Sequence, residues 1–300
     1  IQFKGTTKLS TNVYRIKSIN EKTRFAKRLD PTLALELNLP FFRKKPKQLD
    51  VIKPKLQLVY NPSLKSNDEI TSIDSQQIKL DQTSLFSLNR FSGLDKQESG
   101  LRLNSGIEYS VENNDYFSYN FALGQIFRKD PSTQFSEGSG ISGIKSDILI
   151  SGNFEYDSFL QMHAQQLYDL KLKLKQGEAT LSYQNHNNTI SSGLIFLESD
   201  ISENRPNDLT ELIVGIKSKV NSNWTTSIDL RRHLNQNENI NASVEFSYKN
   251  ECSKINLAFS RRFTETNSLP ADTKIELTFD LNGVGDKRRL LQKSNCALYN

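Results

Sequence analysis

The sequence predicts an all-β protein, a transmembrane antiparallel β-barrel of which about 14 strands are present. Three observations lead to this prediction. Apolar and polar side chains alternate along many stretches of the 300 residues, which places them on opposite faces of strands. No apolar run approaches the roughly 18 residues that a membrane helix needs. The connections between the alternating stretches are short and long in turn.

The alternation predicts each strand in order. It is clearest in 101–111, where Leu101, Leu103 and Ile107 are apolar and Arg102 and Asn104 are polar. The predicted strands are 5–19, 30–40, 51–60, 100–111, 116–128, 144–156, 159–174, 177–184, 189–197, 209–220, 223–233, 239–248, 254–263 and 273–282. Many exceed the five or six residues usual in a soluble sandwich, so a barrel fits better than two packed sheets.

The connections support the same architecture. Every second connection is short, with 41–50 as the exception: 112–115, 157–158, 185–188, 221–222 and 249–253. The alternate set holds the other long loops, of which 61–99 is the longest. Outer-membrane barrels have short periplasmic turns and longer extracellular loops. We therefore expect 61–99 on the extracellular side, folded inward over the lumen because it is rich in Leu, Ile and Phe.

Composition excludes several classes of function. The net charge of +5 combines 39 cations with 34 anions, an excess too mild to indicate nucleic acid binding. The mean hydropathy of -0.57 is low for a compact enzyme of this length. The three histidines are far apart and lack the spacing of metal ligands. Gly138–Gly143 matches a phosphate-binding pattern, but an alternating strand follows it where a helix would be needed. We expect no enzymatic activity and no cofactor or metal.

Lys171, Lys173 and Lys175 alternate with leucines near the end of the predicted strand 159–174. On a strand, these lysines would lie on one face. Two interpretations stay open at this stage: a basic ladder in the lumen that attracts phosphates, or an ordinary solvated lumen face.

The segment Leu85–Gly100, LFSLNRFSGLDKQESG, goes beyond a generic barrel pattern. It resembles the signature of the lipopolysaccharide (LPS)-assembly outer-membrane protein family, LptD. The motif residues that carry the resemblance are Asn89, Arg90, Phe91, Gly93 and Asp95. Weaker resemblances occur in the same order along the chain: 30–36, 53–62, 123–128, 146–147, 248–252, 261–263 and 282–285. We expect Asn89, Arg90 and Asp95 to tie the loop to the wall by hydrogen bonds, a structural role more than direct contact with lipid.

The resemblance implies the C-terminal portion of a barrel of about 26 strands in the bacterial outer membrane. Residues 1–285 would belong to the barrel and 286–300 would form a tail on the periplasmic side. The implied function is the translocation of LPS and its insertion into the outer leaflet, through the lumen and a lateral gate between the first and last strands. The last strand would turn four apolar side chains to lipid at this gate: Ile275, Leu277, Phe279 and Leu281.

The resemblance also implies partners: LPS, outer-membrane lipid, a plug lipoprotein in the lumen and the periplasmic proteins that bridge LPS to the barrel. Two other classes explain the strands without the motif. One is a passive outer-membrane porin or another barrel transporter, and the other is a soluble all-β binding protein.

The chain has two cysteines, Cys252 and Cys296. The family's cysteine turn carries two adjacent cysteines, whereas the second position here is Ser253. The resemblance implies a disulfide from Cys252 to a cysteine of the family's N-terminal domain. A Cys252–Cys296 disulfide and a free thiol stay open as alternatives.

Overall fold

The computed structural model describes residues 1–17, 24–62, 75–113, 116–203, 205–251, 253–265 and 270–281. They form one antiparallel sheet whose strands are β1 (Gln2–Ile16), β2 (Arg24–Asn38), β3 (Phe41–Lys45), β4 (Gln48–Asn61), β5 (Gly100–Asn113), β6 (Phe117–Ser132), β7 (Gly143–Lys145), β8 (Ile148–Tyr156), β9 (Leu160–Tyr168), β10 (Leu174–Gln184), β11 (Asn188–Leu197), β12 (Leu209–Lys219), β13 (Trp224–His233), β14 (Glu238–Lys249), β15 (Ser253–Arg262) and β16 (Asp272–Leu281). Short 3-10 helices span Ser84–Phe86, Glu137–Ser139 and Ile201–Glu203. Among these residues, no helix is long and apolar enough to cross a membrane.

All fourteen predicted strands are present, and the structure adds the short strands β3 and β7. β3 continues β2 in the same register against β4, since Asn38 pairs with Lys55 and Phe41 pairs with Ile52. The predicted connection 41–50 is therefore wrong. Only residues 46–47 join the two arms, because the charged segment 43–45 pairs with β4 although it lacks an alternating apolar face. With residues 46–47 as the connection, all connections in the set predicted to be short are short.

The predicted strand 159–174 is also wrong at its end. β9 stops at Tyr168, and 169–173 form a turn in which Leu172 has a φ of 61°. Asp169 Oδ1 accepts the main-chain N–H groups of Lys171 and Lys173 at 2.8 Å each, which gives the backbone an alternative to the strand ladder. Lys171 and Lys173 therefore lie in a turn and only Lys175 lies on a strand, so the three do not form a ladder on one strand.

Internal contacts divide the chain into two compact units. The first comprises Ile1–Phe154, His163–Gly177 and Glu198–Asn207. Its strands β1, β2, β4, β5, β6 and β8 are neighbours in that order. The second comprises Glu155–Met162, Glu178–Leu197 and Asp208–Asn300, and within it each strand from β11 to β15 pairs with the next. Strands that follow one another in the chain are thus antiparallel neighbours, as in a series of hairpins.

The two faces of the sheet have the polarity of a membrane wall. One face exposes large apolar side chains, among them Leu58, Phe121 and Leu123 in the first unit and Ile216, Ile228, Phe246 and Phe259 in the second. In the first unit, the opposite face buries polar side chains such as Gln57, Arg102 and Asn104. A soluble protein would bury the apolar face, whereas a barrel in a membrane exposes it to lipid.

The hydrophobic core of the first unit lies between the polar face of the sheet and the loops that cover it. It comprises Leu80, Leu85, Phe91, Ile126, Phe135, Ile141, Leu149 and Leu167, and Phe86 packs against it. Six of these nine residues come from the loops between β4 and β5 and between β6 and β7. The described part of 61–99 is therefore part of the folded structure, as expected from its apolar content, and the loop between β6 and β7 joins it.

Candidate functional site

The described part of the longest connection, residues 75–99, packs on the polar face of the first unit and is called the docked loop below. Gly106 of β5 and Gly124 of β6 are partners in the strand register. A Cβ atom on Gly124 would lie 2.2 Å from Leu85 Cδ2, and one on Gly106 would lie 3.0 Å from Phe86 Cζ. The two glycines therefore form a notch that admits the docked loop, since any larger residue would occupy that space.

The docked loop has its own backbone pairing. The N–H of Ile78 donates to the carbonyl of Arg90, and the N–H of Ser92 donates to that of Gln76, both at 2.9 Å. The ring of Phe91 then stacks on Phe135 with centroids 4.8 Å apart. Two segments of the loop are thus held side by side, and an aromatic stack fixes them to the neighbouring loop.

A carboxylate joins three arginines beneath this pairing. Glu98 Oε2 lies 2.7 Å from Arg90 Nη1 and 3.6 Å from Arg102 Nε, and Glu98 Oε1 lies 2.9 Å from Arg128 Nη2. All four side chains are almost completely buried. Arg90 and Glu98 belong to the docked loop, whereas Arg102 and Arg128 belong to β5 and β6. The cluster therefore fastens the docked loop to the wall.

Arg90 also holds the backbone of the loop. Its Nε donates to the carbonyl of Ser84 at 3.1 Å, and its Nη2 donates to the carbonyl of Leu85 at 2.5 Å and to Asn104 Oδ1 at 3.1 Å. A guanidinium suits this place because it presents several donors in a rigid plane. The side chain thus fixes the 3-10 helix above it and reaches β5 beside it.

The two strand arginines contact different loops. Arg102 Nη2 donates to the carbonyl of Leu88 in the docked loop at 2.5 Å. Arg128 Nη1 donates to the carbonyl of Ile141, in the loop between β6 and β7, at 2.6 Å. Arg102 and Arg128 are also direct partners across β5 and β6. Like charges at such positions repel, so the carboxylate of Glu98 is what makes the pair compatible with the sheet.

The surroundings of Glu98 keep it ionised. Burial alone raises the pKa of a carboxyl group, but the charges of Arg102, Arg90 and Arg128 outweigh burial and hold the pKa of Glu98 below its ordinary value of 4.5. The cluster still carries three cations and one anion. This balance makes Glu98 the residue on which the cluster depends.

Hydrogen bonds extend the cluster along the wall. Asn104 Nδ2 donates to Gln57 Oε1 at 2.7 Å, and Gln57 Nε2 donates to Glu36 Oε2 at 3.2 Å. Lys55 Nζ pairs with Glu36 Oε1 at 3.1 Å. β2, β4 and β5 are thus linked on their polar face to the arginine that holds the docked loop.

The five predicted motif residues have different places in this arrangement. Arg90 lies in the cluster and Phe91 in the core, while Gly93 is half-buried in the bend between them and Asp95. Asn89 Oδ1 accepts the N–H of Glu98 at 2.9 Å and its Nδ2 donates to carbonyls of the loop, so Asn89 closes the loop on itself.

Asp95 reaches the wall through its main-chain carbonyl. That carbonyl accepts Arg28 Nη1 of β2 at 2.6 Å. Glu98, Arg102 and Arg128 were not predicted from the sequence. The signal that could have found Glu98 is the presence of two arginines on the same face of adjacent strands, since this pair requires a counter-charge.

The other long loops of the first unit form a layer with the docked loop. Gln77 Nε2 donates to Ser136 Oγ at 2.7 Å, and Gln176 Nε2 donates to the carbonyl of Gly138 at 2.9 Å. Glu198 accepts ion pairs from Lys173 and Lys175, and these hydrogen bonds lower the pKa of Glu198. Two of the three predicted ladder lysines therefore act as partners of one loop carboxylate.

Asp147, between β7 and β8, differs from these carboxylates. Burial raises the pKa of Asp147 to about 6, and the charge of Lys175 offsets only part of this effect. The N–H of Asp147 donates to the carbonyl of Gly140 at 2.8 Å, so its backbone is fixed at the edge of the loop layer.

The predicted gate residues lie on one face of β16. Ile275, Leu277, Phe279 and Leu281 each expose more than half of their surface. β16 pairs with β15 from Asp272 to Leu281. Cys252, Cys296 and the predicted tail 286–300 lie outside the described residues.

The chain is similar in sequence to known proteins. The LPS transport system D family, LptD, matches residues 2–224. The LPS-assembly protein LptD of Vibrio vulnificus (strain YJ016) is 22% identical over 260 residues, which cover 79% of this chain and 33% of that protein. Its counterpart in Vibrio cholerae serotype O1 is 24% identical over 234 residues, which cover 72% of this chain and 30% of that protein. The chain thus spans about a third of the length of these relatives.

Among solved structures, a mutant of the Rh. blastica porin is 10% identical with a TM-score of 0.40, and the alignment covers 92% of this chain and 90% of that one. Salmonella typhi OmpF in complex with daunomycin is 8% identical with a TM-score of 0.35, covering 93% and 84%. The family match extends over most of the chain, and the sheet exposes its apolar face. This chain belongs to the LPS transport system D (LptD) family and is part of a bacterial outer-membrane β-barrel protein.

Proposed function

We propose that this chain forms part of the route by which LPS crosses the outer membrane and enters its outer leaflet. The observation that carries the proposal is the family match over residues 2–224, whose relatives are named LPS-assembly proteins. LPS combines charged sugars with acyl chains, so its carrier needs a polar path beside an exit to lipid.

The second unit offers both environments on the two faces of the same strands. Asp229, Ser243, Ser260 and Lys274 follow one another in register across β13 to β16, on the face opposite the exposed apolar residues. These polar and mostly small side chains suit a passing sugar. On the other face of β16, Leu277 and its apolar neighbours suit acyl chains. In this proposal β16 forms one side of a lateral gate.

The docked loop has a structural part in this route. Its buried cluster and its glycine notch indicate a fixed element that shapes the polar path. They argue against a lid that opens with each transport event. A plug lipoprotein and periplasmic LPS-bridge proteins are further partners in the proposal, through residues of the whole protein.

Depletion of the full-length protein in its own bacterium tests the proposal. We expect newly made LPS to disappear from the cell surface and to accumulate on the periplasmic side, measured by labelling intact and lysed cells. Normal surface LPS after depletion, together with ion conductance by the purified protein, would contradict transport and indicate a passive porin.

A pair of variants tests the polar path. Ser260→Trp narrows this path, whereas Phe259→Trp makes a similar side chain on the lipid face of the same strand. We expect the first to reduce surface LPS at a normal level of assembled protein and the second to leave it unchanged. Equal surface LPS in both variants would count against the assigned path.

A further inference from the structure

A cavity of about 570 Å³ lies in the first unit, between the docked loop and the strands beneath it. Leu85 and Phe86 of the loop form one side of the cavity. The strands contribute Ala122 and Leu149 from their covered face, and Phe42 of β3 lies at its border. This volume is within the range of small-molecule sites, which are mostly apolar with a few placed polar groups. The cavity differs in this respect from the polar surface expected along a path for sugars.

Two lysines provide the charge. Lys53 and Lys55 are two residues apart on β4, so both side chains point to the same face. Lys55 Nζ lies 4.4 Å from the centre of the Phe86 ring, and Lys53 Nζ lies 3.6 Å from the carboxylate of Glu108. The charged residues that line the cavity are these two lysines and Glu108, and Lys55 also pairs with Glu36, which lies outside the lining. An apolar space bordered by two lysine ammonium groups matches one aliphatic chain that ends in an anionic group, which would share these lysines with Glu36 and Glu108.

We infer that this cavity binds a single aliphatic chain with a carboxylate or phosphate head, the chain against Leu85, Phe86 and Leu149 and the head at Lys53 and Lys55. Anionic heads gain charge-assisted hydrogen bonds from lysine. This inference goes beyond the proposed function, because it concerns a molecule held beneath the docked loop and its test requires no transport.

The test uses the full-length protein with its copurifying partners in amphipol and stearic acid that carries a diazirine at mid-chain. After illumination, we expect mass spectrometry to place the label on the peptide containing residues 82–86, which lipid outside the wall does not reach. The same chain with an alcohol head should label this peptide less. The double change Lys53→Gln and Lys55→Gln should reduce labelling by stearate roughly tenfold, since two charged contacts are lost.

A cavity-filling variant provides the second measurement. Ala122→Phe should abolish the label on 82–86, whereas Ala258→Phe, a similar change on the polar face of β15, should not. Displacement by an unlabelled fatty acid or by lysophosphatidylglycerol, each with one chain, distinguishes a carboxylate head from a phosphate head. The proposal fails if residues 82–86 stay unlabelled, even where the reason is that a copurifying protein fills the cavity. It also fails if the lysine changes have no effect on labelling, if Ala122→Phe is labelled as strongly as the unchanged protein, or if neither lipid competes.

Discussion

Replacing Glu98 by Gln in the full-length protein keeps the size of the side chain and removes its charge. Taking away one partner of a buried ion pair costs about 3–5 kcal/mol, because the other charge stays buried without compensation. Here Arg90, Arg102 and Arg128 would all lose the carboxylate between them. The amide of Gln retains one acceptor, so we take the lower value, about 3 kcal/mol. At 1.36 kcal/mol for each factor of ten, the docked loop should open about 150 times more often.

Hydrogen exchange measures this opening directly. The amides of Ile78, Leu85 and Ser92 donate to carbonyls inside the docked loop and exchange only when the loop opens. We expect these amides to exchange about two orders of magnitude faster in Glu98→Gln. Glu112→Gln, the same change at an exposed position of β5, should leave them unaffected. Unchanged exchange in Glu98→Gln would refute the role assigned to the cluster.

The pH dependence of the docked loop follows from the same carboxylate. The pKa of Glu98 is lowered when the loop is docked, so ionised Glu98 favours docking. This contribution is complete above the ordinary pKa of 4.5 and is lost as the pH falls through the lowered value. Docking should therefore be constant between about pH 5 and pH 8 and weaken only in stronger acid.

Three further changes test other features in the full-length protein. Gly124→Ala should destabilise the docked state of the loop by about 1–3 kcal/mol. The double variant Gly124→Ala and Leu85→Ala should be destabilised by less than the sum of the two single variants, as measured by hydrogen exchange. Leu277→Lys should cost about 2–4 kcal/mol near mid-bilayer and lower the level of assembled barrel, whereas Thr278→Lys, on the opposite face, should not. Asp147→Asn should raise the melting temperature at pH 8 and have no effect near pH 4, because ionisation of a carboxyl with a pKa of about 6 destabilises the folded state as the pH rises.

Each of these changes has a result that would contradict it. Gly152→Ala places a Cβ atom in ordinary contact, 3.8 Å from its nearest neighbour, so loosening of the docked loop by this change as well would argue against a specific notch. Equal levels of assembled barrel in Leu277→Lys and Thr278→Lys would contradict the assigned faces of β16. A stabilising effect of Asp147→Asn that is the same at both pH values would exclude its ionisation as the cause.

Much of the sheet follows from the sequence because lipid and the polar face impose opposite demands on successive residues. Alternation such as that of 101–111 therefore predicts β5, and the same holds for the other long strands. The turn at 169–173 escaped prediction because its Leu-Lys alternation equals that of a strand. The strand ends there because the side chain of Asp169 accepts main-chain N–H groups that would otherwise pair in the sheet. The apolar periodicity of the sequence contains no sign of this hydrogen bonding.

The site was harder to predict because it depends on contacts between distant residues. Glu98 lies in a polar run, 95–99, where nothing distinguishes it from solvated neighbours. The notch requires Gly106 and Gly124 to be partners, and this is known only once the register of β5 and β6 is known. Of the motif, Arg90 contacts the wall with its side chain, whereas Asn89 acts within the loop.

The pairing of Arg102 with Arg128 has a consequence for the order of folding. Before the docked loop is in place, β5 and β6 would bring two positive charges face to face, so the correct register is the unfavourable one for the bare hairpin. Arrival of Glu98 reverses that preference. We expect strand zippering and loop insertion to be one cooperative step, which leaves no long-lived intermediate with a finished wall and a vacant interior.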